Sequence, residues 1–170
     1  MKYQCYTDGS SRGNPGSAGW ASIITNTKTV TEYGGYVKVA TNNQMELMGA
    51  LNVFKNLIEV VKDGDEIEIY SDSQYVVKGC NDWLKGWIKN NWKNSQKKDV
   101  INKEMWQEVQ MYKDTLLIKK VTVKLIHVYG HKGHKYNERA DKICTSLALR
   151  EQIDLYKGEF TEYDKFLLLD

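Results

Sequence analysis

Apolar and polar residues alternate along Lys2 to Tyr6, Glu66 to Tyr70 and Lys120 to Tyr129, a period of two that predicts half-buried strands. Gly19 to Thr27 and Thr29 to Lys38 read as two further strands around Asn26-Thr27-Lys28, and Gly13-Asn14-Pro15-Gly16 is a turn, so the chain opens as a three-stranded meander. The period then changes. Met45, Met48, Leu51, Phe54 and Leu57/Ile58 recur at helical spacing, predicting a helix over 43–58 with Asn42 or Asn43 as its cap. Asp63-Gly64-Asp65 is a turn before the fourth strand, 66–72. Short helices are expected over 73–80, 82–88 and 103–114, and a last helix from near Asn137 to about Gln152. The order β-β-β-α-β-α-α-α-β-α implies an α/β fold with a five-stranded mixed sheet flanked by helices, antiparallel at first and parallel later.

Two of these strands end alike, in Tyr6-Thr7-Asp8 and Tyr70-Ser71-Asp72. Alternation puts Tyr and Asp on one face in both. Side by side and parallel, the strands would bring two carboxylates together at their C-terminal ends, the edge where open α/β sheets keep their sites. Adjacent carboxylates repel unless protonated or bridged by a cation. Glu46 and Asp141 are placed near helix starts. Taken singly, each fits a helix-dipole or capping role; capping gives no reason for two matching strand ends. Four acids suit two divalent ions, and hard oxygen donors select Mg²⁺ or Mn²⁺ over zinc, for which no His/Cys spacing is present. Such a pair of ions activates water and stabilises the leaving oxygen in phosphodiester cleavage.

Length and composition leave room for this chemistry. The 170 residues suffice for one domain with a real core, and 41% hydrophobic with 27% charged residues is ordinary for a soluble globular protein. No apolar run approaches a membrane span, and Met1-Lys2-Tyr3-Gln4 enters a polar strand without a signal-peptide core, so a cytoplasmic protein is expected. Cys5, Cys80 and Cys144 are far apart and read as reduced thiols. The net charge of only +2 hides a basic segment: Asp82 to Lys103 holds six lysines and two aspartates, on a body that is slightly acidic.

Thr7-Asp8-Gly9-Ser10, Gly13-Asn14-Pro15-Gly16, Thr41-Asn42-Asn43-Gln44-Met45-Glu46-Leu47, Ser71-Asp72-Ser73-Gln74-Tyr75-Val76 and Gly130-His131-Lys132-Gly133-His134…Asn137-Glu138-Arg139-Ala140-Asp141 together resemble type 1 ribonuclease H, in order and over residues 3 to about 150. The resemblance implies a ribonuclease H-like fold and a Mg²⁺-dependent endonuclease that cuts the RNA strand of RNA–DNA hybrids, leaving 5′-phosphates. It makes Asp8, Glu46, Asp72 and Asp141 the metal-binding catalytic acids. A lone histidine is more often structural, but the resemblance gives His131 a part in proton transfer or product release, which a near-neutral imidazole suits. His134 is read as holding the loop and His127 as a strand residue without catalytic duty.

Trp83, Trp87 and Trp92 interleave with Lys85, Lys89, Lys93, Lys97 and Lys98. Tryptophans commonly anchor short helices while lysines stay solvated, and Trp92 and Trp106 are expected in the core. The run also resembles the basic protrusion of many family members, which implies a channel for the DNA strand lined by Trp83, Trp87 and Ser95, with Thr41 and Asn102 on a DNA phosphate. Gly9, Ser10, Asn14, Asn42, Asn43 and Gln74 match positions on the RNA side; amides both donate and accept, as contacts to 2′-hydroxyls require. Two positions depart from the family pattern: Val39 stands where many relatives have arginine, and Tyr129 where lysine is common. Residues 1–152 are read as the catalytic domain. Residues 153–170 have no family match, and Tyr156, Phe160, Tyr163 and Leu167 are spaced as a helix face that packs on it. The partner expected is the hybrid duplex, with no membrane, and the protein a monomer. A hybrid-binding module without chemistry is opposed by the complete set of four acids. Another nuclease of the same superfamily is opposed by the lysine–tryptophan run and the Asn/Gln set.

Overall fold

The computed structural model describes residues 1–130 and 133–169. Three long strands open the chain, β1 (Lys2–Arg12), β2 (Gly16–Thr25) and β3 (Thr29–Ala40), paired antiparallel in sequence order. α1 (Asn42–Leu57) carries the chain back, so that β4 (Glu66–Ser71) joins the free edge of β1 in parallel. α2 (Gln74–Lys78), a π-helical turn over Gly79–Trp83, α3 (Leu84–Lys89) and α4 (Lys103–Ile118) follow, and β5 (Thr122–His127) then adds in parallel beyond β4. The chain closes with α5 (Lys135–Ala148), β6 (Lys157–Glu159) and α6 (Phe160–Leu169). The strand order is β5-β4-β1-β2-β3-β6.

The sheet has six strands rather than the five expected. The sixth, Lys157-Gly158-Glu159, pairs antiparallel with the start of β3, Thr29 opposite Glu159, and three residues are too few to show a period. β1 is also longer than its apolar pattern: Gly9 to Arg12 are polar or small yet pair with β2, Gly9 opposite Trp20 and Arg12 opposite Ser17. Thr41, not Asn42 or Asn43, is the N-cap of α1. Its hydroxyl accepts from Gln44 N (3.2 Å) and Gln44 Oε1 accepts from Thr41 N (2.9 Å), a reciprocal capping box.

Both faces of the sheet are buried. Tyr3 and Cys5 of β1 and Ile67 and Ile69 of β4 pack with Leu47, Leu51 and Phe54 of α1 and with Trp106, Val109 and Leu116 of α4. On the opposite face Ala21, Ile23 and Val30 meet Ala140, Ile143 and Cys144 of α5 and Tyr163 of α6. Each large side chain so removed from water contributes about 1.5–3 kcal/mol. Trp92 and Trp106 are buried in the first of these cores. No helix among the described residues is long and apolar enough to cross a membrane.

Candidate active site

The parallel pairing of β1 with β4 fixes two of the four acids. Its last register pair is Thr7 with Ser71, so Asp8 and Asp72 each stand one residue beyond it. β1 continues past Asp8, which is therefore not a strand end in the full sheet, but the parallel ladder ends there. Beneath them Tyr6 and Tyr70, partners in register, stack their rings with centroids 5.0 Å apart. After Asp72 the chain turns at once into α2, whose N-cap Ser73 accepts from Val76 N at 3.2 Å.

Glu46 is the fifth residue of α1, past the turn in which a carboxylate would serve the helix dipole. The helix lies so close to β1 that a Cβ on Gly9 would come within 2.3 Å of the Glu46 nitrogen. Carboxylate oxygens of Asp8, Glu46 and Asp72 lie within 4.8 Å of one another. Asp141 enters from the second turn of α5. One of its oxygens, one of Asp8 and the Cys144 sulfur form a second group within the same distance, so Asp8 belongs to both. The structure thus brings all four acids together.

Asp8 is only 5% exposed. Burial, then the charges of Asp72 and Asp141, push its carboxyl up to about 8, although the Gly9 N–H donates to its Oδ1 at 2.8 Å. Glu46 is held well above the usual carboxylate range by burial and by the charges of Asp8 and Asp72. Its Oε2 is buried and has no hydrogen-bond partner. A buried carboxylate oxygen without a partner, on a side chain that joins a cluster of hard oxygen donors, fits a divalent cation. Asp8, Glu46, Asp72 and Asp141 are the residues that would hold it. Thr145 Oγ1 donates to Asp141 Oδ1 at 3.4 Å.

Three neighbours were not legible as parts of this site. His127 Nε2 lies 3.2 Å from the Asp72 carbonyl oxygen, so this histidine bears on the backbone of an acid rather than merely filling a strand. A Cβ on Gly130 would stand 2.8 Å from Asp72 Oδ2, which makes Gly130 a wall of the site. Cys144 follows Asp141 at i, i+3, a spacing that could have flagged it. Its thiol is pushed far up by burial and the nearby carboxylates. His131 lies outside the described residues. His134 is the N-cap of α5 without a side-chain cap bond, while Gly133 N donates to Glu138 Oε1 at 3.2 Å.

On the expected RNA side, Asn14 and Asn42 are engaged with backbone: Asn14 Oδ1 accepts from Asn42 N (3.1 Å), and Asn42 Oδ1 accepts from Ser11 N (2.7 Å). Both residues are exposed. Asn43 and Gln74 are exposed, and Ser10 is half-buried opposite Gly19.

Trp83, Trp87 and Ser95 line one open cleft of about 580 Å³, together with Asp82, Asn94 and Lys93. Trp87 is the hub of the ring cluster, with centroids 5.8 Å from Trp83, 6.5 Å from Trp92 and 5.2 Å from Trp106. Thr41 is committed to its capping box, and Asn102 donates its amide to Tyr75 Oη at 3.0 Å. All five lysines from Lys85 to Lys98 are exposed, but they do not share one face. Lys93 lines the tryptophan cleft, whereas Lys85 lines a separate groove with Leu84, Ile88 and Leu117. Val39 and Lys38 are both exposed.

The RNase H family model matches residues 1–148. The ribonuclease H of Acetivibrio thermocellus is 41% identical over 145 residues, 85% of this chain and 92% of that one. Among solved structures, LC9-RNase H1, a type 1 RNase H with the type 2 active-site motif, superposes with a TM-score of 0.73 at 20% identity, over 95% of this chain and 80% of that one. LC11-RNase H1, solved in complex with an RNA/DNA hybrid, does so with a TM-score of 0.62 at 23% identity, over 87% and 97%. Sequence and fold agree, and the chain belongs to the ribonuclease H family.

Proposed function

We propose that this protein is an endonuclease that hydrolyses the RNA strand of RNA–DNA hybrids, with Asp8, Glu46, Asp72 and Asp141 as its catalytic acids and Mg²⁺, or Mn²⁺ in its place, as its cofactor. The observation that carries the reading is the convergence of four carboxylates with one buried oxygen, Glu46 Oε2, left without a partner. Two divalent ions held there would supply an activated water and stabilise the leaving oxygen. The chain's own residues set the geometry. Gly9 N–H fixes the Asp8 carboxylate, the β1–β4 register sets Asp72 beside it, and the close pass of α1 over Gly9 delivers Glu46. His131 is assigned to proton transfer or product release.

Residues 1–152 form the catalytic domain in this reading, with 153–170 as its tail. The DNA strand lies along the cleft of Trp83, Trp87 and Ser95, where a ring against deoxyribose disfavours a 2′-hydroxyl, and Lys93 with the neighbouring lysines takes the phosphates. Thr41 and Asn102 grip one DNA phosphate. On the other strand Gly9, Ser10, Asn14, Asn42, Asn43 and Gln74 meet the RNA backbone and its 2′-hydroxyls. LC11-RNase H1 holds an RNA/DNA hybrid on the same fold, which supports the choice of substrate. We read the protein as a monomer, and three buried free cysteines fit the reducing cytoplasm.

Cleavage of matched RNA–DNA, RNA–RNA and DNA–DNA duplexes in Mg²⁺ tests the reading. Cutting confined to the RNA of the hybrid is expected. Binding without cutting would leave a hybrid-binding module, and cutting of DNA duplexes a different nuclease. Asp8→Asn retaining near-normal hybrid cleavage would sink the assignment of the acids.

A further inference from the structure

β3 alternates Val30 and Glu32 onto the face that packs against α5, so a glutamate stands among apolar residues. It is buried, and so is Arg139 of α5. A buried carboxylate is tolerable only when paired and fully hydrogen-bonded. Glu32 is both. Its Oε1 accepts from Arg139 Nε and its Oε2 from Arg139 Nη2, each at 2.8 Å, a bidentate pair.

The remaining partners come from the C-terminal segment, which the sequence left without a family match. Tyr163 Oη donates to Glu32 Oε1, and Tyr156 N donates to Glu32 Oε2 at 2.9 Å. Arg139 Nη2 donates to the Asp154 carbonyl at 2.6 Å, and the guanidinium carbon lies 5.1 Å from the centre of the Phe166 ring. Glu32 N also donates to the Tyr156 carbonyl at 2.8 Å. Three parts of the chain therefore meet on one ion pair: β3, α5 and the tail.

Arg139 precedes Asp141 by two residues on α5. A guanidinium held at both ends in fixed fork geometry sets the rotation and height of its helix. Asp141 is the one acid of the four that comes from α5, and the other three are placed by β1, α1 and β4. Its distance from Asp8 thus depends on how α5 seats on the sheet.

We propose that Glu32, Arg139 and Tyr163 are positioning residues for the cleavage reaction, and that the C-terminal segment works as a strap that seats α5 and so holds Asp141 against Asp8. The inference rests on the proposed function above for the role of Asp141. The strap acts through α5, so its effect falls on assembly of the cation site and on turnover, not on hybrid affinity.

Glu32→Gln and Tyr163→Phe in the full chain test this. Each keeps the side-chain volume, and Tyr163→Phe removes only one donor. Lys165→Ala, an exposed tail residue paired with Glu162, is the control. Two readouts are made on protein shown folded by its melting curve, at a temperature well below the transition. The first is calorimetric titration with Mn²⁺ in the absence of hybrid. The second is steady-state cleavage resolved into kcat and KM. The expected result is Mn²⁺ affinity weakened about threefold or more, kcat lowered about tenfold for Glu32→Gln and less for Tyr163→Phe, and KM within about twofold of the parent, because small misplacements of a reacting group act on turnover. Arg139→Lys, which keeps the charge but loses the fork, should fall between the parent and Glu32→Gln. If the variants melt earlier yet bind Mn²⁺ and turn over like the parent, the network is structural only and the proposal is overturned. The metal titration needs no cleavage, so a parent that binds Mn²⁺ but cuts nothing would refute the function while the strap is still read.

Discussion

Tyr6 and Tyr70, direct register partners on parallel strands, stack their rings with planes 14° from parallel, and Tyr136 of α5 meets Tyr6 edge-on at 5.1 Å. The stack occupies the sheet face from which Asp8 and Asp72 emerge two residues later. It gives the acids a rigid floor made of aromatic contact rather than charge. The repeated Tyr-hydroxyl-Asp pattern is therefore one structural unit, and the spacing of the two carboxylates follows from the spacing of two paired strands.

The acids titrate in a way that stability will report. Burial and like charges raise the Asp8 carboxyl from 3.8 to about 8, and Glu46 moves the same way. Between those pH values the folded protein holds protons that the unfolded chain has released, so the cation-free protein loses stability as pH rises through that window. Its melting temperature should fall from about pH 4 to pH 8, and Mg²⁺ should restore it most at the upper end, since cations bind the folded state with its carboxylates ionised. Asp8→Asn removes one of the crowded charges. It should melt higher than the parent at neutral pH without metal, gain little from Mg²⁺, and lose cleavage by about 10³-fold or more. A flat melting profile with pH would contradict the crowding.

Gly9 sits where the sheet and α1 nearly touch, and a Cβ there would overlap the Glu46 nitrogen and, at 2.4 Å, the Met45 carbonyl carbon. Both are backbone atoms, so relief requires moving the helix that carries Glu46. Gly9→Ala should cost about 1–3 kcal/mol in denaturant titration and lower cleavage more than tenfold. Gly86 in α3 has nothing within 4 Å of its added Cβ. Gly86→Ala should stabilise by about 0.5–1 kcal/mol, since alanine loses less conformational freedom in a helix.

Most of the frame was readable because it rests on local periodicity: the period of two in β1, β4 and β5, and the helical stripe of α1. The four acids were readable because two strand ends matched and the motifs came in order. What escaped depends on pairing at a distance. β6 is three residues long and exists only because β3 leaves an open edge. Glu32 looked like any strand glutamate, and its burial follows from Arg139 107 positions away. Thr41 outcompeted two asparagines for the cap of α1 because Gln44 completes its box. Tyr156 lies outside the helix that carries Phe160, Tyr163 and Leu167, since β6 separates it from α6.

The tryptophan cleft bears on how the nucleic-acid contacts should be probed. Trp87 packs on Trp83, Trp92 and Trp106, so Trp87→Ala will unsettle the cluster as well as any contact with DNA. Trp83, 39% exposed, is the cleaner probe. Trp83→Ala should weaken hybrid binding by about 1–3 kcal/mol, the range for loss of an aromatic contact to nucleic acid, with a smaller change in melting temperature. Replacing Lys89, Lys93, Lys97 and Lys98 together should raise KM and flatten its dependence on salt, because fewer counterions are released on binding. An unaltered slope would place the phosphates elsewhere. Lys93 shares Asp99 with Lys103, at 2.6 and 3.3 Å, so Lys93→Ala alone should have a smaller effect than its place in the cleft suggests.

The Glu32–Arg139 pair makes an asymmetric prediction about stability. Arg139→Ala leaves a carboxylate in the core with only the Tyr163 hydroxyl and the Tyr156 N–H to satisfy it, and should cost about 3–5 kcal/mol, the range for removing one partner of a buried pair. Glu32→Ala should cost a similar amount, because Arg139 loses its bidentate carboxylate and the Tyr163 hydroxyl and Tyr156 N–H lose their acceptor. Tyr163→Phe removes one hydrogen bond to a charged group and should cost about 1.5–3 kcal/mol. Removing both charges with apolar residues of similar size, Glu32→Leu with Arg139→Met, eliminates the uncompensated charge and should be less destabilising than either alanine variant. Denaturant titrations of the four variants at neutral pH check the order. A double variant less stable than both singles would mean that the ion pair contributes net stability rather than geometry alone.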